Sequence, residues 1–342
     1  MNPAVFERGA VRALMSLPGA VLDKLSAGLE THSRSHLDSR LRFLLALSAA
    51  KPTLDSGTVE QARRLYRDVI NLLDVAPVSL PVVVDHQVPR DDGSSMRVRR
   101  YRPALAPRVA PAILFMHGGG FTVGGVDEYD RLCRYIADRT NAVVLSVDYR
   151  LSPEHPSPAA AEDCLAAWRW LLDNTAAMGL DPQRLAVMGD SAGGNLSAVV
   201  CQQAKQAGLP LPALQVLIYP TTDGALKHPS VQTLGQGFGL DMALLTWFRS
   251  QFIQDPAMME DFRVSPLRNP DLSGLPPAIL ITATDPLRDE GLEYGEKLRA
   301  AGVDVTALDY PQLVHGFLTM GGVIPAARKA VNAICDATVQ RL

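Results

Sequence analysis

The sequence predicts an α/β fold in which helices flank a mostly parallel sheet, and three observations support this. From about residue 80 onward, short apolar runs alternate with helical segments, an order that favours parallel strands with right-handed crossovers. Several runs contain no polar residue, as expected for strands that helices cover on both faces. The length of 342 residues fits one such domain with an added subdomain.

The predicted strands begin with a pair and continue as separate runs. The pair lies at residues 82–84 and 96–101, joined by a turn at Asp91-Asp92-Gly93, because aspartate and glycine adopt turn conformations readily. The other strands are predicted from the apolar runs at residues 112–116, 142–147, 185–188, 214–218, 278–281 and 303–308.

The segment before the first strand is predicted to be helical. Residues 1–75 show helical periodicity and little strand signal. Asp55, Ser56 and Thr58 offer an N-cap to a helix predicted at residues 59–73. Charged residues interrupt the apolar stretches near the N-terminus, so this region is interpreted as amphipathic helix and not as a signal peptide.

The link between the runs 214–218 and 278–281 is too long for a simple crossover. Glycines and a proline punctuate its first half, and an aromatic-rich helix follows. We predict that residues 221–265 pack with the N-terminal helices as a cap. The catalytic domain is then expected to occupy residues 76–342, with its ligand site at the carboxyl edge of the strands.

Composition excludes several classes of function. A net charge of -3 gives no basic field for nucleic acid or for an anionic membrane surface. No apolar stretch approaches the roughly 18 residues needed for stable membrane insertion. The cysteines lack metal-site or disulfide spacing, which predicts reduced, buried thiols and a cytoplasmic protein. They are Cys133, Cys164, Cys201 and Cys335.

The strongest local signal is Gly189-Asp-Ser191-Ala-Gly193, which lies between a predicted strand and a predicted helix. This is the context of a nucleophile elbow, whose tight turn requires glycine two positions before and after the serine. The turn exposes the serine hydroxyl at the helix start, where the helix dipole favours negative charge. We therefore predict an α/β-hydrolase fold with Ser191 as its nucleophile.

A second glycine motif, His117-Gly-Gly-Gly-Phe121, directly follows the run that ends at residue 116. Acyl transfer requires preorganised N–H groups for the developing oxyanion, and glycine lets the main chain approach a substrate oxygen closely. We predict that the N–H groups of Gly118, Gly119 and Ala192 are these donors. His117 is predicted to support the loop by hydrogen bonds.

The general base is predicted to be His315. It follows the last predicted strand and precedes a glycine, and it lies after the nucleophile in the chain, as this fold requires. His228 also satisfies the chain order but lies in the predicted cap. In this scheme His315 takes the proton of Ser191 during attack on an ester carbonyl, and no metal or organic cofactor is required.

The orienting acid is predicted to be Asp285, which ends the penultimate strand. Asp289 and Glu290 are alternatives one turn further on, and Asp223 is a more distant one. Asp285 also precedes a proline, so it is equally suited to cap the following helix.

Together these segments resemble the bacterial hormone-sensitive-lipase family of carboxylesterases, over about residues 80–340. The shared motifs are His117-Gly-Gly-Gly, Asp148-Tyr-Arg-Leu-Ser-Pro-Glu-His-Pro, Gly189-Asp-Ser-Ala-Gly-Gly, Asp285-Pro-Leu-Arg-Asp and His315-Gly-Phe. The resemblance implies an N-terminal helical cap, an eight-stranded sheet and hydrolysis of short-to-medium acyl esters. It also implies a structural role for Arg150 and Glu154.

The sequence therefore predicts a serine carboxylesterase acting on a small-molecule ester. An amidase or a lipase with the same triad is an alternative, as is a non-catalytic binding protein on the same scaffold. An edge strand at residues 303–308 is a candidate homodimer contact. Several aromatic residues are candidate pocket walls, although core packing fits them equally. They are Phe121, Phe238, Trp247, Phe248 and Phe317.

Overall fold

The computed structural model describes residues 3–27, 34–49 and 51–342. Within them, eight strands form one sheet in the order β1-β2-β4-β3-β5-β6-β7-β8. This confirms the predicted α/β-hydrolase fold and its eight-stranded sheet. The strands are β1 Val82–Pro89, β2 Ser95–Arg102, β3 Ala110–Met116, β4 Val143–Val147, β5 Leu180–Asp190, β6 Leu214–Ile218, β7 Ala278–Thr284 and β8 Val305–Val314.

Helices precede the sheet and connect its parallel strands. Those before the first strand are α1 Pro3–Met15, α2 Gly19–Ala27, α3 Ser39–Ser48 and α4 Val59–Leu73. Those after it are α5 Asp130–Thr140, α6 Ala159–Met178, α7 Ala192–Gln206, α8 Pro229–Thr233, α9 Met242–Phe252, α10 Arg288–Ala300 and α11 Pro325–Arg341. Along the described chain, no helix is both long enough and apolar enough to cross a membrane.

The sheet is antiparallel at one side and parallel elsewhere. β1 and β2 form a hairpin, and β2 also pairs antiparallel with β4. All pairs from β4 through β3 to β8 are parallel. The carboxyl ends of the parallel strands therefore meet at one edge, where the loops after β3, β5, β7 and β8 lie together.

Two hydrophobic layers enclose the sheet because strand side chains alternate between its faces. Leu114 of β3 packs in one cluster with the apolar residues of α6 and α7, including the fully buried Trp168. The adjacent Phe115 packs in the other, with Ile136 of α5 and Ile334 of α11. The uninterrupted apolar runs follow from this two-sided burial.

Element boundaries differ from the predictions where strands carry polar residues, and the central strand β5, predicted at residues 185–188, begins at Leu180 and ends at Asp190. β1 continues to Pro89 because its solvent-facing positions include Asp85. β8 begins two residues later than predicted, at Val305, and continues to Val314 with an alternating, half-exposed pattern. The predicted helix 59–73 is α4, whose first turn has a capping box between Thr58 and Gln61. The alternation of buried and exposed residues in β8 breaks up its apolar run, so a search for uninterrupted apolar runs does not find the full length of this edge strand.

Candidate active site

The turn from β5 into α7 has the geometry of a nucleophile elbow. Ser191 has φ 56° and ψ -117°, a conformation that costs a non-glycine residue roughly 1–3 kcal/mol. A Cβ at Gly189 would overlap the backbone of Gly193, and one at Gly193 would overlap the carbonyl of Met116. The two glycines therefore allow α7 to pack directly against the end of β3.

His315 lies beside the Ser191 hydroxyl. Its Nε2 is 2.8 Å from Ser191 Oγ, a distance typical of a hydrogen bond between a nucleophile and its base. The imidazole follows β8, at a turn where Gly316 has φ 78°, a value that favours glycine. The ring also packs against Tyr219, with centroids 4.7 Å apart.

Asp285 lies behind His315, at the end of β7. Its Oδ2 is 3.4 Å from His315 Nδ1, slightly beyond a formed hydrogen bond. Both atoms are buried, and neither has another hydrogen-bond partner among the described residues. The second oxygen, Oδ1, accepts the N–H of Leu287 at 2.6 Å. Asp285 therefore faces the imidazole with one oxygen and stabilises the turn before α10 with the other, while the N-cap position of α10 is Leu287.

The alternative base and the most distant alternative acid have other partners. His228 contacts α10, and its Nε2 is 3.0 Å from Glu293 Oε2. Asp223 accepts hydrogen bonds from the guanidinium of Arg268, the nearer at 2.9 Å. Neither group contacts His315.

The two remaining alternative acids stabilise the segment after β6. Asp289 accepts the N–H of Ser230 at 2.9 Å. Glu290 is fully buried and accepts the N–H groups of Thr222 at 2.6 Å and Asp223 at 3.2 Å. Burial raises the pKa of Glu290 to about 8, although these hydrogen bonds act against the shift. Both carboxyl groups therefore accept backbone N–H groups of this segment, and neither contacts the His315 imidazole.

The prediction for Gly118 is wrong. Its N–H is directed away from the cavity, donating to Asp190 Oδ1 at 2.9 Å and lying 3.2 Å from the Tyr129 hydroxyl. Gly118 does not line the cavity beside Ser191, whereas Gly119 and Gly120 do. Within residues 117–121, here called the oxyanion loop, Gly120 therefore replaces Gly118 as a candidate donor beside Gly119.

The cavity beside Ser191 presents three N–H groups. Gly119 and Gly120 have φ 118° and 56°, which favour glycine, and their N–H groups have no acceptor among the described residues. The third group belongs to Ala192, the first residue of α7, where an amide has no partner within the helix. Such donors suit an oxyanion.

Asp190 connects the oxyanion loop to a group of buried tyrosines. Besides the Gly118 N–H, its carboxylate accepts the hydroxyl of Tyr129 at 3.1 Å and that of Tyr219 at 3.4 Å. The Tyr129 hydroxyl also lies 2.9 Å from that of Tyr66 on α4. Burial raises the pKa of Asp190 to about 6, and its hydrogen bonds limit the shift.

His117, the first residue of the oxyanion loop, stabilises the loop through contacts of its buried side chain. Its Nδ1 lies 2.8 Å from the carbonyl oxygen of Gly118, and its ring stacks on Tyr149 with centroids 4.2 Å apart. The Tyr149 hydroxyl donates to the His117 carbonyl at 2.7 Å. Burial lowers the pKa of His117, so the neutral imidazole is favoured. These contacts support a structural role.

The cavity has a volume of about 210 Å³ and mostly apolar walls. One wall comes from α4 and includes Tyr66, Val69, Ile70 and Leu73. Another part of the wall comes from α9 and the residues before it, including Leu240, Leu244, Leu245, Phe248 and Phe252. Ser191 and His315 lie at the same cavity.

Two of the five predicted wall residues line this cavity, Phe121 and Phe248. Phe317 is fully buried in the core instead, edge-on to Tyr219. Phe238 is likewise buried in that core, and Trp247 packs edge-on against the outer side of Phe248. These three predictions are wrong because aromatic content alone does not reveal which way a side chain points.

Functional residues of two kinds were not predicted from the sequence. Tyr66, Ile70 and Leu73 recur at helical spacing along α4, and that periodicity marks one face, so it was a usable signal for a cavity wall. Asp190 and Gly120 carried no comparable signal. Their roles depend on the direction of single groups within a turn.

Known proteins resemble this chain in sequence. Residues 113–319 match a family described as having the alpha/beta hydrolase fold. The chain is 39% identical over 287 residues to an ethyl acetate hydrolase of Pseudomonas putida, covering 83% of this chain and 90% of that protein. It is 40% identical over 310 residues to carboxylesterase NlhH of Mycobacterium tuberculosis, covering 88% and 95%.

Solved structures of other proteins also resemble this chain. EstE1, a thermostable carboxylesterase from a metagenomic library, has a TM-score of 0.80 at 38% identity, covering 84% of this chain and 98% of that one. The ester-hydrolase EH1AB1 from the metagenome of Lake Arreo has a TM-score of 0.83 at 35% identity, covering 95% and 98%. The chain therefore belongs to the hormone-sensitive-lipase-like carboxylesterases of the α/β-hydrolase family.

Proposed function

We propose that this serine carboxylesterase hydrolyses short-to-medium acyl esters through an acyl-enzyme on Ser191. The observation that carries the proposal is the 2.8 Å separation of Ser191 Oγ and His315 Nε2 at the wall of an apolar cavity. An activated serine needs a base within hydrogen-bond reach and a third group that orients the base. Asp285 is the orienting group. Its Oδ2 has no hydrogen-bond partner among the described residues, and it lies 3.4 Å from His315 Nδ1.

Acylation begins when Ser191 Oγ attacks the ester carbonyl and His315 Nε2 takes the hydroxyl proton. Asp285 stabilises the resulting imidazolium. The N–H groups of Gly119, Gly120 and Ala192 donate to the oxyanion, and this interaction is stronger in the transition state than in the ground state. The intermediate collapses as the alcohol leaves with the proton from His315.

Deacylation repeats these steps with water as the nucleophile. His315 accepts a proton from water while the water oxygen attacks the acyl carbon. The second tetrahedral intermediate uses the same three N–H groups. Breaking the bond between Ser191 Oγ and the acyl carbon returns the proton to the serine and releases the carboxylic acid.

The size and lining of the cavity support a small ester. Its volume of about 210 Å³ is below the range of roughly 300–1,000 Å³ common for drug-sized ligands. The similarity to an ethyl acetate hydrolase supports a short acyl group as well. The contact of Ser191 with His315 disfavours a binding protein that has lost catalysis.

We further propose that residues 1–75 and 221–265 form the cap over a catalytic domain at residues 76–342. The contribution of both α4 and α9 to the lining of the cavity supports this division. Part of the first segment lies outside the described residues. Exchange of the cap is therefore expected to change substrate preference without removing the triad.

Two further proposals concern assembly and compartment. β8 is an edge strand, which supports pairing with a second copy in a homodimer; a monomer in solution scattering at high concentration would contradict this. All four cysteines are buried as free thiols, which supports a reducing cytoplasm. Activity recovered outside the cytoplasm after cell fractionation would contradict that location.

The test of the function is hydrolysis of p-nitrophenyl esters from acetyl to palmitoyl by wild type and Ser191→Ala. We expect kcat to fall by about 10⁴-fold or more in the variant, and kcat/KM of the wild type to be highest for short or medium chains. An optimum at long chains would indicate a lipase.

Ser16→Ala serves as a matched control, because Ser16 is exposed and its hydroxyl donates only within its own helix end. It should retain wild-type kinetics, and both variants should unfold like the wild type. A wild type without activity on any ester, or Ser191→Ala with undiminished kcat, would overturn the proposal.

A further inference from the structure

One charged side chain in the cavity wall has no role in the proposed mechanism. Arg249 of α9 lines the cavity and is half-buried. Its guanidinium makes no hydrogen bond and no ion pair with any residue in the described ranges. The other ionisable groups of the wall are His315 and the fully hydrogen-bonded Asp190, besides tyrosines.

Arg249 lies on the side of α9 that is otherwise apolar. Leu245 and Phe252 line the cavity at positions four and three residues from it, and such positions share one face of a helix. The aliphatic part of arginine suits this face, but its five N–H donors do not. A guanidinium on the inner face of an apolar cavity therefore calls for an acceptor.

Two other partly exposed arginines, Arg63 and Arg150, have carboxylate partners. Arg150 forms several hydrogen bonds with the buried Asp163, the shortest at 2.8 Å. Arg63 binds Glu154 through both terminal nitrogens, at 2.8 and 2.7 Å. Arg249 differs from them because it lines the cavity beside Ser191 and has no carboxylate partner among the described residues.

We infer that Arg249 recognises an anionic group, a carboxylate, on the ester substrate, at a position remote from the scissile carbonyl. The inference rests on the proposed function and deepens it. A guanidinium pairs with a carboxylate through two parallel hydrogen bonds, and the apolar walls strengthen the attraction by excluding water. A neutral ester in the cavity would remove water from the Arg249 guanidinium without offering it a negatively charged partner, and this desolvation is unfavourable.

The chemistry at Ser191 is unchanged by this recognition. With the carboxylate on the acyl side, hydrolysis of a dicarboxylic half-ester yields an alcohol and a dicarboxylate. With the carboxylate on the alcohol side, the products are a simple acid and a hydroxy acid. In both cases water supplies the new oxygen and proton, and Arg249 touches only the remote carboxylate.

Two matched substrate pairs test the inference and locate the carboxylate. The acyl-side pair is mono-p-nitrophenyl adipate and its neutral methyl ester. The alcohol-side pair is meta-acetoxybenzoate and its methyl ester. The measurement is the ratio of kcat/KM for the anionic and neutral members of each pair, in wild type, Arg249→Gln and Arg249→Lys.

We expect Arg249→Gln to lower the ratio by about 10-fold or more in one pair, and Arg249→Lys, which retains the charge without the planar fork, to lower it less. Raised ionic strength should lower the wild-type ratio. The control is Arg64→Gln on α4, which removes the same charge from an exposed residue outside the cavity wall and should leave the ratio unchanged.

Two results would overturn the inference. One is an unchanged ratio in both pairs for Arg249→Gln. The other is an equal loss in Arg64→Gln, which would indicate a general effect of net charge. Failure of the proposed function is distinguishable, because it would appear as a wild type without activity on the neutral esters or as an active Ser191→Ala.

Discussion

At the scale of single residues, the carboxylate of Asp190 links the oxyanion loop to the protein interior. It accepts the Gly118 N–H at 2.9 Å and the hydroxyl groups of two tyrosines. The direction of Gly118 sets the direction of the next peptides, because successive groups in a tight loop are geometrically coupled. Asp190 is therefore a positioning residue for the donors at Gly119 and Gly120.

The first prediction concerns this carboxylate. Asp190→Ala should lower kcat by about 10²-fold on p-nitrophenyl butyrate, comparable to removing one oxyanion donor, with a smaller change in KM. Asp190→Asn retains an oxygen for the Gly118 N–H and should recover most of the loss. Equal kcat in wild type and Asp190→Ala, measured on folded protein, would show that the loop does not depend on this anchor.

At the scale of elements, the site depends on how closely α7 approaches β3. The approach occurs at Gly193, where a Cβ would overlap the carbonyls of Met116 and His117. Helix α4, part of the proposed cap, contacts the residue after the oxyanion loop, since Arg63 donates to the carbonyl of Thr122 at 3.0 Å. The oxyanion loop is thus fixed between one helix of the catalytic domain and one helix of the proposed cap.

Gly193→Ala is the prediction at this scale. The added methyl group should displace α7 and lower the free energy of unfolding by about 3 kcal/mol, as strong overpacking does. Urea unfolding measures the change. Gly208→Ala is the control, because Gly208 has φ 64° and open space around a Cβ, so only the backbone strain of about 1–2 kcal/mol applies. Similar losses in both variants would contradict the packing argument.

At the scale of the whole molecule, Glu290 connects α10 to the long link between β6 and β7. Its Oε1 accepts hydrogen bonds from Thr221, Thr222 and Asp223. Its Oε2 is buried and has no hydrogen-bond partner in the described part of the chain, with His228 Nδ1 at 3.9 Å. The protonated carboxyl is therefore the form that the fold favours, in line with its raised pKa.

This proton makes the stability depend on pH. Because the pKa of Glu290 rises from 4.5 to about 8 on folding, its stabilising effect is complete below pH 4.5 and is lost as pH rises to about 8. The slope is at most about 1.4 kcal/mol per pH unit. Glu290→Gln removes this slope and leaves an oxygen for the three donors.

The difference in free energy of unfolding between Glu290→Gln and wild type is therefore expected to increase from pH 5 to 8 and to level off above. Denaturant unfolding at several pH values measures it. Asp74 and Asp190 also have raised pKa values, but their effects are common to both proteins. A difference independent of pH would show that Glu290 is ionised throughout.

Sequence by itself determined the features that depend on neighbours along the chain. Two-sided burial leaves uninterrupted apolar runs, so the central strands could be located. The elbow glycines around Ser191 form a pattern of five residues between a strand and a helix, and the chain order of a hydrolase then identified Asp285 and His315. These three residues were predicted, and the structure brings them together at the carboxyl edge of the sheet.

Only the tertiary structure decided the features that depend on direction. The peptide of Gly118 turns inward because Asp190, distant in sequence, accepts its N–H. Phe317 points into the core and Phe248 into the cavity, although both were equally plausible wall residues. A local pattern constrains which backbone conformations are possible, whereas the orientation of each group depends on the partners that packing brings within reach.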